Sequence, residues 1–204
     1  MKAHCLSWST FVLMALSCIG LCSCGDDENE TDERPVETAL EAVDLGLSVK
    51  WANMNVGAKS PESTGGRYAW GEVSEKETYT MNNYQSPGIS SIGGSQYDVA
   101  TKVMGGSWRM PTEQEMKELI TNCTLEIIAI NGTKCGKFTA SNGKSILLPI
   151  AGWKGLTISG EDNGAYWVST GSGKKGLLFL NKSFKQIYDS YSPEAGMLVR
   201  AVME

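Results

Sequence analysis

The sequence predicts an α+β domain in which a twisted, mainly antiparallel sheet packs against one or two helices and carries long loops. The chain has 23 glycines in 204 residues, and Asn-Gly pairs at 131–132 and 142–143 separate short β-branched and aromatic runs. One amphipathic helical segment lies near the middle, and residues 74–98 form a long polar stretch without a regular period. The roughly 160 residues involved are enough for one hydrophobic core.

Short apolar runs bounded by turn residues predict the strands. The Asn131-Gly132 pair is typical of a two-residue hairpin turn, so the runs on either side are expected to pair. Residues 171–175 place a lysine near glycines without the spacing of a phosphate-binding loop, which favours another hairpin turn. Extended segments are predicted at 48–56, 67–72, 125–130, 133–140, 145–150, 165–170, 176–180, 184–188 and 197–203.

Residues 112–122 predict the helix. Thr112 as N-cap and Glu115 three residues later form a capping box, in which each side chain bonds the backbone N–H of the other residue. Apolar residues then recur at helical spacing and are expected to bury one face, namely Met116, Leu119 and Ile120.

The sequence register argues against a disulfide in the domain. Pairing outward from Asn131-Gly132 sets Ile128 opposite Cys135, and Cys123 lies five positions further along its strand. That separation is roughly 17 Å at the rise of a β-strand, whereas a disulfide needs Cα atoms within about 7 Å. We therefore predict that both cysteines are buried and free.

The first 23 residues predict a secretory signal peptide, with a basic start, an apolar run and small residues at its end. Leu21, Ser23 and Cys24 resemble the bacterial lipobox, in which the cysteine is acylated and becomes the mature N-terminus. Cys24 is therefore the predicted lipidation site, and its lipid is predicted to attach the chain to a membrane. The alternative is an ordinary cleaved signal followed by a coincidental cysteine.

Residues 24–42 are predicted to be a lipidated acidic tether. Residues 26–41 contain eight acidic residues and one basic residue, a composition that disfavours burial. The run resembles the export signal of Bacteroidetes surface lipoproteins, which implies an outer-membrane, surface-exposed location; a solvated spacer is the alternative. Residues 42–204 hold sixteen basic and fifteen acidic residues, so no nucleic-acid partner is expected.

Five segments stand out in order along the domain, and we call them the marker segments. They are VDLGLSVKWA (43–52), YAWGE (68–72), GGSWRMPT (105–112), AYWVST (165–170) and LVRAV (198–202). With these segments, residues 43–204 resemble the Fibrobacter succinogenes major paralogous domain, which is common in exported Bacteroidetes lipoproteins. The resemblance implies a C-type-lectin-like fold, related to that of formylglycine-generating enzymes, and no established activity.

The residue types disfavour an enzyme. His4, the only histidine, lies in the signal peptide, which excludes histidine-based acid–base catalysis and histidine-ligated zinc in the mature domain. The two domain cysteines lack the spacing of the formylglycine-generating enzymes, and no calcium–sugar signature of true C-type lectins is present. We expect no catalytic residue, metal or cofactor. Carboxylates for glycoside cleavage remain an alternative: Glu72, Asp98, Glu161 and Asp162.

Binding through aromatic and planar polar groups is the favoured hypothesis, because sugars stack on aromatic rings. The long stretch 74–98 is a loop of the kind that presents ligands. The candidate ligand-binding residues are Trp153, Asp162, Asn163, Tyr166 and Trp167.

Other residues in the marker segments are predicted to be structural. Trp51 and Trp108 are expected in the core. Arg109 and Arg200 are expected to anchor half-buried carboxylates such as Glu72 or Glu115.

The sequence therefore predicts a non-enzymatic cell-surface lipoprotein that binds a glycan or an extracellular protein, for adhesion or nutrient capture. The alternative is a structural subunit of an envelope or adhesion assembly. A carbohydrate-active enzyme is the third hypothesis.

Overall fold

The computed structural model describes residues 38–181 and 183–204. The signal peptide, Cys24 and most of the acidic tether lie outside the described residues. The elements are mainly antiparallel strands with two α-helices, which confirms the α+β class. None of the helices in the described ranges is long and apolar enough to cross a membrane.

The described residues form eleven β-strands and two α-helices. Strands are β1 (Ala42–Val43), β2 (Lys50–Asn55), β3 (Cys123–Ile130), β4 (Thr133–Ala140), β5 (Ser145–Pro149), β6 (Trp153–Lys154), β7 (Ile158–Ser159), β8 (Gly164–Trp167), β9 (Gly176–Asn181), β10 (Phe184–Tyr188) and β11 (Arg200–Met203). Helices are α1 (Val99–Met104) and α2 (Glu113–Asn122), with a short 3-10 helix at Met81–Asn83.

The strands form several small sheets instead of the single sheet predicted. Their orders are β1-β2-β11, β10-β9-β8, β3-β4-β5 and β6-β7. A parallel bridge between Tyr166 and Leu198 connects β8 to the chain leading into β11. The predicted segment 67–72 is not a strand, because only Tyr68 pairs, with Met197. The β6–β7 hairpin was not predicted, since each of its strands has only two residues.

The central hairpin has the predicted register. Ile128 lies opposite Cys135, and Asn131 and Gly132 both adopt positive φ, at 49° and 79°, as a tight hairpin turn requires. Cys123 pairs with Ala140 at the far end of the hairpin. Both cysteines are buried free thiols, and burial raises their pKa.

Helix α2 begins as the sequence predicts. The Thr112 hydroxyl accepts the Glu115 N–H at 3.2 Å, and the Glu115 carboxylate accepts the Thr112 N–H at 2.8 Å, which confirms the capping box. Met116 and Leu119 are fully buried. Helix α1 was not predicted; it begins at Asp98, whose carboxylate accepts the N–H groups of Ala100 and Thr101.

The packed chain begins before residue 43. Strand β1 pairs Ala42 with Ala52, and Thr38 N–H donates to the carbonyl of Lys59 at 3.1 Å. The Asn53 side chain donates to the carbonyl of Ala39 at 2.9 Å. The last residues assigned to the tether therefore belong to the folded domain.

Two clusters of buried side chains form the core. The first surrounds α2 and the β3–β5 sheet and contains Trp51 and Tyr166. The second contains Trp70, Trp108 and Trp167. Trp51 and Trp167 are fully buried, and Trp108 is 9% exposed. Most of the aromatic side chains in the marker segments are therefore core residues.

The two arginines that were predicted to anchor carboxylates have different partners. Arg109 bonds Glu115 through both guanidinium nitrogens, at 2.9 and 2.7 Å, and also contacts Glu204. Arg200 is fully buried and, among the described residues, bonds no carboxylate, contrary to the prediction. It donates instead to the Asn55 side chain and to the carbonyls of Ala52 and Leu147, and burial lowers its pKa to about 10. Uncharged oxygens satisfy this cation because its five donors can reach several carbonyls at once.

Candidate functional site

Two of the predicted ligand-binding aromatics lie inside the core. Tyr166 and Trp167 are fully buried. The Tyr166 hydroxyl donates to the carbonyl of Pro149, and the Trp167 indole N–H donates to the carbonyl of Tyr68, both at 2.8 Å. Neither ring has a face open to a ligand. Their assignment to a binding surface is therefore wrong. The sequence could not show their burial, because a strand that is buried on both faces has no alternation of buried and exposed positions.

The other three predicted residues lie around one turn. The Asn163 side chain donates to the carbonyl of Gly160, and the half-buried Trp153 ring packs so closely there that a Cβ on Gly160 would lie 2.4 Å from it. Trp153 also contacts Tyr191 edge to face, with centroids 6.1 Å apart. Asp162 is 89% exposed and pairs with Lys134 at 3.1 Å. Trp153 and Asn163 thus stabilise the turn between β7 and β8.

A cavity of about 620 Å³ lies elsewhere, against the polar stretch that the sequence analysis identified as a long loop. We call residues 74–98 the loop segment and this cavity the loop pocket. Its volume is within the usual range for small-ligand sites. The lining residues are mostly polar: Gly71, Glu72, Val73, Ser74, Lys76, Asn83, Gln85, Ser86, Gln96 and Tyr97.

The start of the loop segment is fixed to the β6–β7 hairpin through Tyr79. Its N–H donates to the carbonyl of Gly155 at 3.0 Å, and its hydroxyl donates to the carbonyl of Arg67. The Tyr79 ring covers Gly196, where an added Cβ would lie 2.7 Å away. Burial raises the pKa of the Tyr79 hydroxyl, so it stays protonated and able to donate.

The end of the loop segment is fixed by Asp98. This fully buried carboxylate accepts N–H groups from Gly94 and Met110 at 2.8 Å, in addition to those at the start of α1. Asp98 was a candidate carboxylate for glycoside cleavage, but its oxygens are engaged with the backbone. It therefore holds the far wall of the loop pocket in place.

The two charged lining residues neutralise each other. Lys76 Nζ lies 2.6 Å from Glu72 Oε2, and both side chains are largely covered, with 20% and 13% of their surface exposed. Glu72 Oε1 also accepts the Gln85 N–H at 2.8 Å. Lys76 Nζ donates to the carbonyl and side-chain oxygens of Asn83, at 3.0 and 3.3 Å. The pair therefore crosses the loop and connects its two limbs.

Several polar groups of the pocket remain available. Within the described residues, no protein group bonds the side chains of Ser74, Gln85, Gln96 or Tyr97. A glutamine amide offers two donors and an acceptor, and a hydroxyl offers one donor and two acceptor sites. Tyr97 is half-buried and packs against the second core cluster. The pocket thus presents uncharged hydrogen-bonding groups on a fixed frame.

No group of three or more histidine, cysteine or acidic side chains that could hold a metal ion occurs within residues 38–181 and 183–204. Of the carboxylates considered for hydrolysis, only Glu72 lines the loop pocket.

Comparisons with known proteins add no further constraint. No family model matches the chain, and neither a curated protein nor a solved structure matches it. The site must therefore be interpreted from its own geometry.

Sequence reasoning located the loop segment but not the pocket residues. Gln85 and Gln96 lie eleven positions apart in a stretch without periodicity, so nothing in the sequence brings them together. The signal that could have found them is composition: a long polar, turn-rich segment between two buried aromatic runs.

Proposed function

We propose that this chain is a lipid-anchored, non-enzymatic outer-membrane lipoprotein whose C-type-lectin-like domain binds a glycan in the loop pocket. The observation that carries this proposal is the loop pocket itself, with its volume of about 620 Å³ and its free amide and hydroxyl groups. A polar pocket suits a polar ligand, because each buried hydroxyl of the ligand must find a hydrogen-bond partner.

Glycans fit this lining better than lipids do. Glutamine amides can bond neighbouring sugar hydroxyls as donor and acceptor at once. Tyr97 adds one aromatic ring to the lining, and rings favour contact with the C–H face of a sugar. The pocket lacks the large apolar surface that a lipid chain would need.

The location is proposed from the sequence. Cys24 would carry the lipid, and the acidic tether up to about residue 37 would hold the domain away from the outer membrane. The resemblance of residues 43–204 to the major paralogous domain supports the lectin-like fold. An α+β architecture with a long loop segment above small antiparallel sheets is compatible with it.

The test is glycan binding by the full chain, purified in detergent, with and without substitution of pocket amides. We expect Gln96→Ala and Gln85→Ala each to weaken binding about five-fold, the equivalent of one lost hydrogen bond. Gln186→Ala is the matched control, because Gln186 is an exposed glutamine of β10 outside the pocket. Equal affinities for all three variants would remove the loop pocket from the site.

One observation favours the assembly hypothesis as a second candidate. Leu156 and Ile158 of the β6–β7 hairpin are 73% and 45% exposed, which is unusual for aliphatic residues so close together. If the hairpin contacts a partner in an envelope assembly, Leu156→Ser with Ile158→Ser should abolish crosslinked species in intact cells. Unchanged crosslinking would reject this contact.

A further inference from the structure

The charges of the loop pocket indicate which glycans it would accept. Among the described residues that line it, Glu72 and Lys76 are the charged ones, and each has at least two protein partners. An acidic ligand would have to draw Lys76 away from Glu72, leaving a largely covered carboxylate without its cation. An amino sugar would have to draw Glu72 away from Lys76, leaving a largely covered lysine without its carboxylate. Breaking a covered ion pair in this way is costly.

Neutral hydroxyls meet no such barrier. The groups without protein partners, within the described part of the chain, are those of Ser74, Gln85, Gln96 and Tyr97. None of these is an acidic or basic side chain of the Asp, Glu, Lys or Arg type. Lys76 is further held by the Tyr79 ring, whose centroid lies 5.5 Å from Nζ. The brace between Glu72 and Lys76 can therefore stay intact while a neutral sugar binds.

We propose that the loop pocket selects an uncharged sugar residue, and that the Glu72–Lys76 pair is the specificity determinant that excludes acidic and amino sugars. This inference rests on the proposed glycan-binding function. It adds that the carboxylate of Glu72 and the ammonium group of Lys76 neutralise each other. Removing one of the two charges should therefore change which ligands bind.

The distinguishing variant is Glu72→Gln, which keeps the side-chain size and frees the charge of Lys76. Probes are oligosaccharides of matched length that end in glucose, galactose, mannose, glucosamine, glucuronate or sialate. The full chain in detergent should bind neutral probes, and Glu72→Gln should gain about ten-fold in affinity for an acidic probe, the equivalent of one hydrogen bond to a charged group. Glu77→Gln, the same change at an exposed loop residue outside the lining, should show no gain.

A second measurement needs no variant. Neutral-probe affinity of the native chain should change less than about two-fold between roughly 50 mM and roughly 500 mM NaCl, because salt screens only interactions between charges. If Glu72→Gln does not fold, this salt dependence and the probe preference of the native chain test the proposed selectivity for uncharged sugars.

Each outcome separates the two proposals. Preference of the native chain for an acidic or amino probe, or a folded Glu72→Gln protein with no acidic gain, would overturn the selectivity while leaving glycan binding in place. No binding of the native chain to any probe would overturn the proposed function itself.

Discussion

The aromatic marker segments and the loop segment are built for different purposes. Trp51, Trp70 and Trp167 are at most 1% exposed and form the centres of the two core clusters. The lining of the loop pocket, by contrast, includes several polar side chains that have no protein partner within the described residues. The segments that carry the resemblance specify the frame, and the segment without a recognisable pattern carries the candidate site.

This difference explains why the marker segments say so little about function. A large aromatic side chain is a strong signal in a sequence because it dominates core packing. A ligand site on a loop needs only a few polar groups in the right positions, and these are common in every loop. Predictions that substitute residues in each region should therefore separate stability from binding.

The largest effect is expected from Trp167→Ala. Removing this fully buried ring leaves a cavity and takes away one of the two hydrogen bonds that the Tyr68 carbonyl accepts, the other coming from the Met197 N–H. It should lower the free energy of unfolding by about 3–5 kcal/mol. Trp153→Ala is the matched control, because its ring is half-buried and should cost clearly less. Urea unfolding of both variants measures the difference. Equal losses would contradict the assignment of Trp167 to the core and of Trp153 to a turn.

A smaller effect is expected from one added methyl group. In Gly164→Ala, the new Cβ would lie 2.0 Å from the Phe179 ring, so the core must shift. Overpacking of this kind costs about 1–3 kcal/mol. Gly155→Ala is the control, since its nearest neighbour, the Tyr79 carbonyl, is 3.8 Å away. Thermal unfolding should show a lower midpoint for Gly164→Ala alone, and matching midpoints would show that β8 and β9 are not this closely packed.

The smallest effect concerns the contribution of the Arg109–Glu115 ion pair to stability in acid, which we contrast with the role of the Glu72–Lys76 pair. Burial tends to raise the pKa of Glu115, but hydrogen bonds from Arg109 and Thr112 outweigh it and lower the pKa below its ordinary 4.5. This carboxylate therefore stabilises the fold above about pH 4.5, and the contribution disappears as pH falls through the lowered value.

We accordingly expect Glu115→Gln to be less stable than the native chain at pH 7, with the gap closing in acid. Urea unfolding measured from pH 7 to pH 3 tests this, with Glu77→Gln as the exposed control. A gap that stays constant with pH would contradict the stabilising role of the Glu115 charge. The Glu72–Lys76 pair should instead appear in ligand preference.

Local patterns were predictable where a short-range mechanism fixes them. The Asn131-Gly132 turn and the Thr112 capping box involve neighbours in sequence, and both have the predicted geometry. Helix α1 was missed because its six residues are too few to show a helical period, although the Asp98 carboxylate caps it locally at Ala100 and Thr101. Long-range placement was invisible for Arg200, whose partners come from β2 and β5.

The candidate site was less predictable than the fold. Trp153 and Asn163 do meet, as their closeness in sequence suggested, but around a turn. Tyr166 and Trp167, adjacent on β8, are both buried because both faces of that strand are covered. The pocket depends on contacts between the loop segment and distant residues such as Gly155 and Trp70, which no local pattern encodes.

The most direct test is to map the ligand on the isotope-labelled chain by nuclear magnetic resonance, titrating a neutral oligosaccharide that binds. The side-chain amide signals of Gln85 and Gln96 should shift with the probe, while the Trp153 indole N–H and the Asn163 amide stay in place. Shifts confined to Trp153 and Asn163 would contradict this account and place the site at the turn between β7 and β8.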